Sequence, residues 1–330
     1  MARPPVITVH HHYMPKAFFH RRVPPGGRIV EEDFYFTFNP ILHDTAAHLR
    51  AMEEAGVDAS VVHLAHWNKK GLAVCRELND GFADLARAHP DRFFPCAHLP
   101  LSGDAETLAE LNRAAGDLGF RAVALLTSEG DVHLGDESLR PLFARIAELG
   151  LPVLVHPAMR PAGAAMDFDL VASVERAADI NRATVRVMYA VLTRFPDLRF
   201  VMPHHGGAVP FLKGRIQMFY KPGGVEIPGH IKLLPLSPLE REALGLEGPF
   251  EELFGKVYFD TAGFAGWMPA TRAALLTVSP RRLCLGTDYP QEMHNGADIR
   301  AHVEGVRALH LPAEELAAIL GGNIAELLGL

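Results

Sequence analysis

The sequence predicts an α/β protein folded as a closed (β/α)8 TIM barrel, with eight parallel strands inside a ring of helices. The chain contains eight short runs of continuously apolar residues, most of them separated by segments of helical character. Continuous apolarity indicates strands that are buried on both faces, as in a parallel sheet covered by helices. A chain of 330 residues could form two domains, but such a barrel routinely uses this length as one, so we predict a single domain over residues 1–330.

The predicted strands recur at the spacing of a repeated strand–helix unit. Each is a short run of apolar and β-branched residues that ends at a polar, glycine or proline residue. The eight predicted strands are residues 6–9, 57–64, 92–98, 121–126, 152–156, 198–202, 257–261 and 282–288.

Helical patterns and capping residues fill the intervals between these strands. Asp44 is a suitable N-cap for the first of them, and Gly56 is placed to end it. Helices are predicted at residues 45–54, 72–88, 105–118, 138–149, 170–195, 271–278, 299–308 and 313–320. Two longer connections are predicted to be loop insertions, one after strand one at about residues 20–40 and one after strand six at residues 221–244.

The composition is that of an ordinary globular protein, with 48% hydrophobic and 22% charged residues. Lysine and arginine number 32 against 39 acidic residues, and no basic run is long enough to bind nucleic acid or an anionic membrane. No apolar stretch approaches the ~18 residues of a membrane span, and the N-terminus lacks a signal-peptide pattern. Cys75, Cys96 and Cys284 are widely spaced, which indicates reduced thiols. We expect a cytoplasmic protein without nucleic-acid or membrane partners.

Three consecutive histidines follow the first strand. Val6 to Val9 run directly into His10, His11 and His12, and Pro15 closes the segment. Because strand side chains alternate between faces, His10 and His12 are expected on one side and His11 on the other. Two imidazoles on one face can share a metal ion. The alternative is a tag remnant or a chance cluster, although a tag is normally a longer run of histidines alone.

In a barrel of this kind, reactive groups gather at the C-terminal ends of the strands. Ligand-type residues at those ends are His10, His12, His63, His66, His98, His156, His204 and Asp288. Histidines in helical or helix-end sequence are expected to be solvated: His48, His89, His302 and His310. Several histidines with one carboxylate suit zinc or another first-row divalent ion. Taken singly, Asp288 could instead cap a turn and His156 could be a core histidine with satisfied hydrogen bonds.

With these residues in these positions, the chain resembles the metal-dependent amidohydrolase superfamily, in the branch that contains non-oxidative decarboxylases. The resemblance extends over nearly the whole chain. Its markers are His10-x-His12 followed by Pro15, His156-Pro157, His204-x-Gly-Gly, Gly286-Thr-Asp288-Tyr-Pro and the closing Gly322-Asn323-Ile-Ala-Glu-Leu-Leu.

The resemblance implies one divalent metal ion, zinc or alternatively manganese, held by His10, His12, His156 and Asp288. It also implies that His204 is a general acid/base and that the protein is a homodimer. Relatives with two metals carry a carboxylated lysine at the end of strand four, and residues 125–128 contain no lysine. The branch usually has an acid two residues before the first histidine, where this chain has Thr8.

The activity that the resemblance implies is non-oxidative decarboxylation of a small aromatic or dienoic carboxylic acid. A metal-activated water and proton transfer by His204 and Asp288 would carry it. The same ligands could instead direct hydroxide at a lactone, ester or amide, so a hydrolase is the alternative. A hydratase or a metal-binding barrel without turnover are further alternatives.

Aromatic and basic side chains in the loops are candidates for binding the substrate. Phe264 and Trp267 follow strand seven, and Arg160 and Arg215 are candidates to bind a carboxylate. The aromatics could equally serve loop packing, and the arginines could be solvated or structural. Further aromatic candidates follow strand one: Tyr13, Phe34, Tyr35, Phe36 and Phe38.

Overall fold

Eight parallel strands form in the order that the sequence predicts. The computed structural model describes residues 4–31, 34–158, 170–219 and 249–330, with the backbone alone at 28–37 and 219. The strands are β1 (Ile7–His12), β2 (Ala59–His63), β3 (Phe93–Pro95 and Ala97–His98), β4 (Val123–Leu126), β5 (Val153–His156), β6 (Phe200–Met202), β7 (Tyr258–Asp260) and β8 (Leu283–Cys284 and Gly286–Tyr289).

Two interrupted strands close these eight into a ring. In β3, Phe93–Pro95 pairs with β2, and Ala97–His98 pairs with β4. In β8, Leu283–Cys284 pairs with β7, and Gly286–Tyr289 pairs with β1. Every remaining strand pairs in parallel with the next one along the chain. The predicted (β/α)8 barrel is therefore confirmed.

The connections after the strands are mainly helical. The helices are Lys16–Arg22, Thr45–Ala55, Leu72–Ala88, Ala105–Gly116, Arg140–Leu149, Arg176–Arg186, Val209–Phe219, Phe250–Lys256, Met268–Ala274, Gly296–Arg307, Ala313–Ala317 and Asn323–Leu328. Wider helical turns, Val171–Glu175 and Val187–Val191, extend helix Arg176–Arg186 at both ends, and Ala318–Gly322 joins the last two helices. The helix predicted at residues 271–278 begins earlier, at Met268, because Pro269 suits the first turn.

The insertion after β1 is partly ordered into regular structure. It contains helix Lys16–Arg22 and an antiparallel hairpin that pairs Arg28–Glu31 with Phe34–Thr37. The predicted insertion at residues 221–244 lies outside the described residues. As predicted, Asp44 caps helix Thr45–Ala55 by accepting the Ala47 N–H at 3.0 Å, and Gly56 ends the helix with a φ of +68°.

Two apolar layers hold the barrel together. The inner layer is built from small and medium residues such as Val9, Val61 and Ala124, and helix Asn323–Leu328 packs Ile324 into it. The outer layer lies between the strands and the helices. Among the described residues, no helix is both long and apolar enough to cross a membrane.

Candidate metal-binding active site

Four strand ends bring five ligand-type side chains to one place. His10 and His12 belong to β1, His156 ends β5, His204 follows β6 after one proline, and Asp288 lies in β8. All five are buried. The ring centres of His10, His12 and His156 lie 5.2 Å apart in every pair. Candidate ligand atoms of His10, His12 and His156 lie within 4.8 Å of one another, and so do those of His10, His204 and Asp288.

A bulge in β1 aims its histidines. The register with both neighbouring strands shifts around His10, whose φ is +54°. Such a bulge turns one side chain out of the regular alternation and bends the strand. His10 and His12 both reach the cluster, while His11 points away and its Nε2 lies 2.7 Å from Nδ1 of His48. The predicted division of the three histidines between two faces is confirmed.

Several buried polar atoms of the cluster have no hydrogen-bond partner among the described residues. They are Nε2 of His10, Nε2 of His204 and Oδ1 of Asp288. Asp288 Oδ1 lies 2.9 Å from His12 Nε2, but the angles of that contact do not make a hydrogen bond. A buried polar atom without a partner is costly, and a shared cation would satisfy these nitrogen and oxygen atoms together. The residues present therefore fit a divalent metal ion.

Hydrogen bonds behind the cluster fix the tautomers of two histidines. His10 Nδ1 lies 3.0 Å from Oδ2 of Asp260, and His156 Nδ1 lies 2.8 Å from the carbonyl oxygen of Pro157. Both partners are acceptors, so each Nδ1 carries the proton and each Nε2 keeps a lone pair for the cluster. Asp260 was not among the predicted site residues, although it ends β7 and the strand-end rule could have selected it.

Asp260 also holds the backbone at the ends of two strands. Its Oδ1 accepts the N–H of His204 at 2.8 Å and the N–H of Ala262 at 3.0 Å. Burial alone would raise the pKa of Asp260, but the charge and hydrogen bond of His10 outweigh burial and lower it. An ionised carboxylate thus connects β1, β6 and β7.

The electrostatics of the cluster favour an ionised Asp288 beside a neutral His204. Burial lowers the pKa of His204 to about 3, and the charge of His10 adds to that effect. Burial would raise the pKa of Asp288, but contact with His12 and the charges of His10 and His12 lower it. Burial also lowers the pKa of His10, yet Asp260 and Asp288 outweigh it and raise the pKa above 6.5. A divalent cation would complement this arrangement.

The backbone around His204 and Asp288 is left-handed, with φ of +53° and +49° respectively. Gly263, after β7, lies against the His204 ring, and a Cβ at this position would be 2.2 Å from Cγ of His204. Gly263 itself has a φ of +84°. Only glycine allows this close approach, which holds the imidazole in place.

A cavity of about 400 Å³ opens onto the cluster, which is within the range of small-molecule sites. Its described lining residues are His12, Phe38, Leu64, His66, Trp67, Ala172, Arg176, Asp288, Gln291 and Glu292. Phe38, Leu64 and Trp67 give it an apolar, largely planar wall. Asp288, Glu292 and Arg176 give it charge. A flat ring or diene that bears an acidic group would match both parts.

A model of the amidohydrolase family matches residues 7–330, which is nearly the whole chain. This chain belongs to the amidohydrolase family. The match covers β1 to the last helix and therefore includes every strand that supplies the cluster.

Curated relatives and solved structures place this amidohydrolase beside named decarboxylases and a hydratase. It is 24% identical over 313 residues to 2-amino-3-carboxymuconate-6-semialdehyde decarboxylase of Dictyostelium discoideum, covering 92% of this chain and 81% of that protein. It is 27% identical over 242 residues to 2-keto-4-carboxy-3-hexenedioate hydratase of Sphingobium sp., covering 63% and 67%. Its fold resembles 5-carboxyvanillate decarboxylase of Novosphingobium aromaticivorans, solved with manganese and 4-hydroxy-3-methoxy-5-nitrobenzoic acid, at a TM-score of 0.77, 19% identity and coverage of 99% and 96%.

Of the predicted substrate-binding residues of this amidohydrolase, Phe264, Trp267 and Arg215 are not among the described residues that line the cavity. Trp267 is 62% exposed. Phe264 packs against His205, with 5.2 Å between the centres of the two rings. Arg215 is exposed on helix Val209–Phe219, and Arg160 lies outside the described residues. Tyr13 is buried, with its hydroxyl 2.8 Å from Thr45 Oγ1.

Among the aromatics predicted to line the cavity, Phe38 does so. Phe34, Tyr35 and Phe36 form part of the hairpin, and their side chains are outside the described set. Trp67, Arg176 and Glu292, which the sequence reasoning did not select, line the cavity as well. Trp67 directly follows His66, so its position after β2 could have indicated it.

The other three histidines predicted at strand ends have different surroundings. His66 lines the cavity, and the His63 ring lies 5.3 Å from those of His10 and His12. His98 is structural, since its Nε2 accepts the Leu64 N–H at 2.7 Å.

The prediction that His48 and His302 are solvated was wrong, because both are buried. His48 pairs with His11, and His302 Nε2 lies 2.8 Å from Thr261 Oγ1. These partners lie in β1 and just after β7, 37 and 41 residues away in the sequence, so the local helical pattern gave no sign of them.

Proposed function

We propose that this amidohydrolase is a metal-dependent non-oxidative decarboxylase, a carbon–carbon lyase that acts on a small aromatic or dienoic carboxylic acid. The observation that carries the proposal is a set of buried polar atoms that have no hydrogen-bond partner among the described residues, from His10, His204 and Asp288, beside a cavity with an apolar wall. The named decarboxylases among the relatives support this reaction class.

His10, His12, His156 and Asp288 would hold one divalent ion, zinc or manganese. When bound, such an ion lowers the pKa of a coordinated water and polarises a substrate oxygen. Residues 125–128, at and after the end of β4, include no lysine that could bridge a second ion, which supports a single site. The manganese in the decarboxylase of similar fold makes manganese as good a candidate as zinc.

His204 and Asp288 would handle the proton. His204 Nε2 lies 3.7 Å from Asp288 Oδ2, a separation that a small ring movement can close to a hydrogen bond. In the proposed reaction, this pair takes a proton from water and passes it to the substrate carbon that bears the carboxylate. The carbon–carbon bond then breaks, its electron pair returns to the ring or diene, and CO₂ leaves. Gly263 and Asp260 keep His204 in position for this transfer.

A hydratase is the second candidate, because one relative carries that name. It would add water to a double bond of a dienoic acid in the same cavity. The hydrolase alternative would also incorporate water into its product. Neither reaction requires the release of CO₂.

Isotopes separate these reactions. The manganese- or zinc-loaded protein is incubated with a panel of hydroxybenzoates and muconate-type acids, in deuterium oxide and separately in oxygen-18 water. The expected result is CO₂ release with deuterium on the carbon that lost it. Product that carries oxygen-18 without CO₂ release would contradict the decarboxylase and support a hydratase or hydrolase.

We also propose a homodimer, as the family resemblance implies. Light scattering should give a mass near twice the 36.1 kDa of one chain, and a mass of one chain at micromolar concentration would contradict it.

A further inference from the structure

An arginine and a glutamate lie together in the wall of the cavity. Arg176 Nη1 lies 3.8 Å from Glu292 Oε1, and their side chains are 16% and 25% exposed. Both residues line the cavity together with His12 and Asp288. Among the described lining residues, Arg176 is the one with a permanent positive charge. It is therefore placed to meet an anionic group that enters the cavity.

The helix that carries this arginine is fixed over the strand ends. One turn along helix Arg176–Arg186, Asp179 accepts a hydrogen bond from the hydroxyl of Thr127, which follows β4. Asn181 accepts the N–H of Ala208, after β6, at 2.7 Å. These bonds tie the helix to the same rim that supplies the metal ligands, so the guanidinium starts from a defined position.

The negative charges in the cavity wall would disfavour binding of an anionic substrate without this arginine. Asp288 and Glu292 both line it, and two carboxylates repel an anionic substrate. Burial and Asp288 raise the pKa of Glu292. The charge of Arg176 also extends to the cluster, since it contributes to the lowered pKa of His204 after the larger effects of burial and His10.

The chemistry decides which substrate group suits this arginine. Decarboxylation converts the negatively charged reacting carboxylate into neutral CO₂. An ion pair with that carboxylate would stabilise the bound substrate more than the transition state and would oppose the reaction. An arginine in this cavity therefore suits an anionic group that keeps its charge throughout the reaction.

We propose that Arg176 binds a second carboxylate of the substrate, so that the preferred substrates are planar aromatic or dienoic acids with one carboxylate that leaves and one that stays. This inference rests on the proposed function for the fate of the first carboxylate. Glu292 is the counter-ion that the second carboxylate replaces beside Arg176. Phe38 and Trp67 contact the planar body between the two ends.

A pair of coloured probes tests this without turnover. In 4-hydroxy-3-nitrobenzoate and 2-nitrophenol a nitro group stands in place of the reacting carboxylate, and the two differ only by the carboxylate that stays. Binding to the manganese-loaded protein is measured by absorbance titration at a pH where both phenols are ionised. We expect the protein to bind the benzoate about 10- to 100-fold more tightly.

Variants of the protein test whether Arg176 causes the preference for the benzoate. Arg176→Met should bring the two dissociation constants within a few-fold, and Arg176→Lys should keep part of the difference because it retains the charge without the planar fork. Glu292→Gln should tighten binding of the benzoate. Arg182→Met, an exposed arginine on the same helix, is the matched control and should keep the full preference.

A preference that survives Arg176→Met, or a loss of affinity that is equal for both probes, would overturn the inference. So would a protein that binds both probes alike. These results do not depend on catalysis, so they leave the decarboxylase proposal standing. Conversely, an absence of CO₂ release on the substrate panel would refute the decarboxylase while the measured preference remained.

Discussion

Replacing Asp260 with asparagine tests how the carboxylate behind His10 prepares a metal ligand. In the Asp260→Asn protein, the side-chain amide oxygen would face the two backbone N–H groups of His204 and Ala262, which are both donors. The amide nitrogen would then face Nδ1 of His10, where two N–H groups would oppose each other. The imidazole would avoid this conflict by moving its proton to Nε2, the atom that faces the metal site.

The magnitude follows from what such supporting partners contribute. Loss of a hydrogen-bonded partner behind a metal ligand typically weakens metal binding about 10- to 100-fold, or about 1.4–2.7 kcal/mol. Because Asp260→Asn removes a negative charge and also forces the wrong tautomer, we expect the upper part of that range.

The assay is a competition titration with a chromogenic chelator, for zinc and for manganese. Asp197→Asn, at an exposed position, is the matched control and should bind metal as the unchanged protein does. In a His10→Gln background, Asp260→Asn should have little further effect on metal affinity. Unchanged metal affinity in a folded Asp260→Asn protein would refute the reasoning, and a full additional loss in the His10→Gln background would refute the route through His10.

Four further substitutions test the site and the stability of the fold. His156→Ala should lose metal, whereas His204→Ala should keep the metal, measured by elemental analysis, and lose most turnover. Gly263→Ala should clash with the His204 ring and destabilise the fold by about 1–3 kcal/mol in chemical denaturation. Burial raises the pKa of Glu129 to about 7, so the folded state binds a proton more tightly than the unfolded state. As the pH rises from about 4.5 to about 7, the free energy of unfolding should therefore fall by at most about 3 kcal/mol. Glu129→Gln should abolish that loss.

Each of these has a contrary outcome. Near-normal turnover in His204→Ala would show that His204 does not transfer the proton. Retained metal in His156→Ala would show that His156 is not a metal ligand. A Gly263→Ala protein as stable and active as the original would show that the loop after β7 does not position His204. Equal pH dependence of stability with and without Glu129 would mean that its carboxyl is not buried as described.

The barrel was predictable because its signals are local. Each strand is a short apolar run. The rule that chemistry gathers at C-terminal strand ends then selected eight residues, and the family resemblance reduced them to His10, His12, His156, His204 and Asp288. The rule worked because parallel strands of one barrel must end on the same side. The bulge at His10 was not predictable, since it arises from the register with two strands that lie far away in sequence.

The substrate side of the site was less predictable for a physical reason. Arg176 lies in a helix whose place over the cavity depends on Asp179 and Asn181, and those bonds form only in the folded chain. Trp67 and Trp267 both follow strands, yet the first lines the cavity and the second is exposed. Loop direction decides such cases, and loop direction is a tertiary property.

The left-handed backbone at His10, His204 and Asp288 has a consequence for protein engineering. Outside glycine, this conformation is tolerated best by asparagine, aspartate and histidine, and it is strongly disfavoured for β-branched residues. A library randomised at these three positions and selected only for soluble, folded protein should therefore be enriched in residues that also bind metals. Conformational preference and coordination chemistry therefore favour nearly the same residue types at these three positions, where new metal-binding side chains are easiest to obtain.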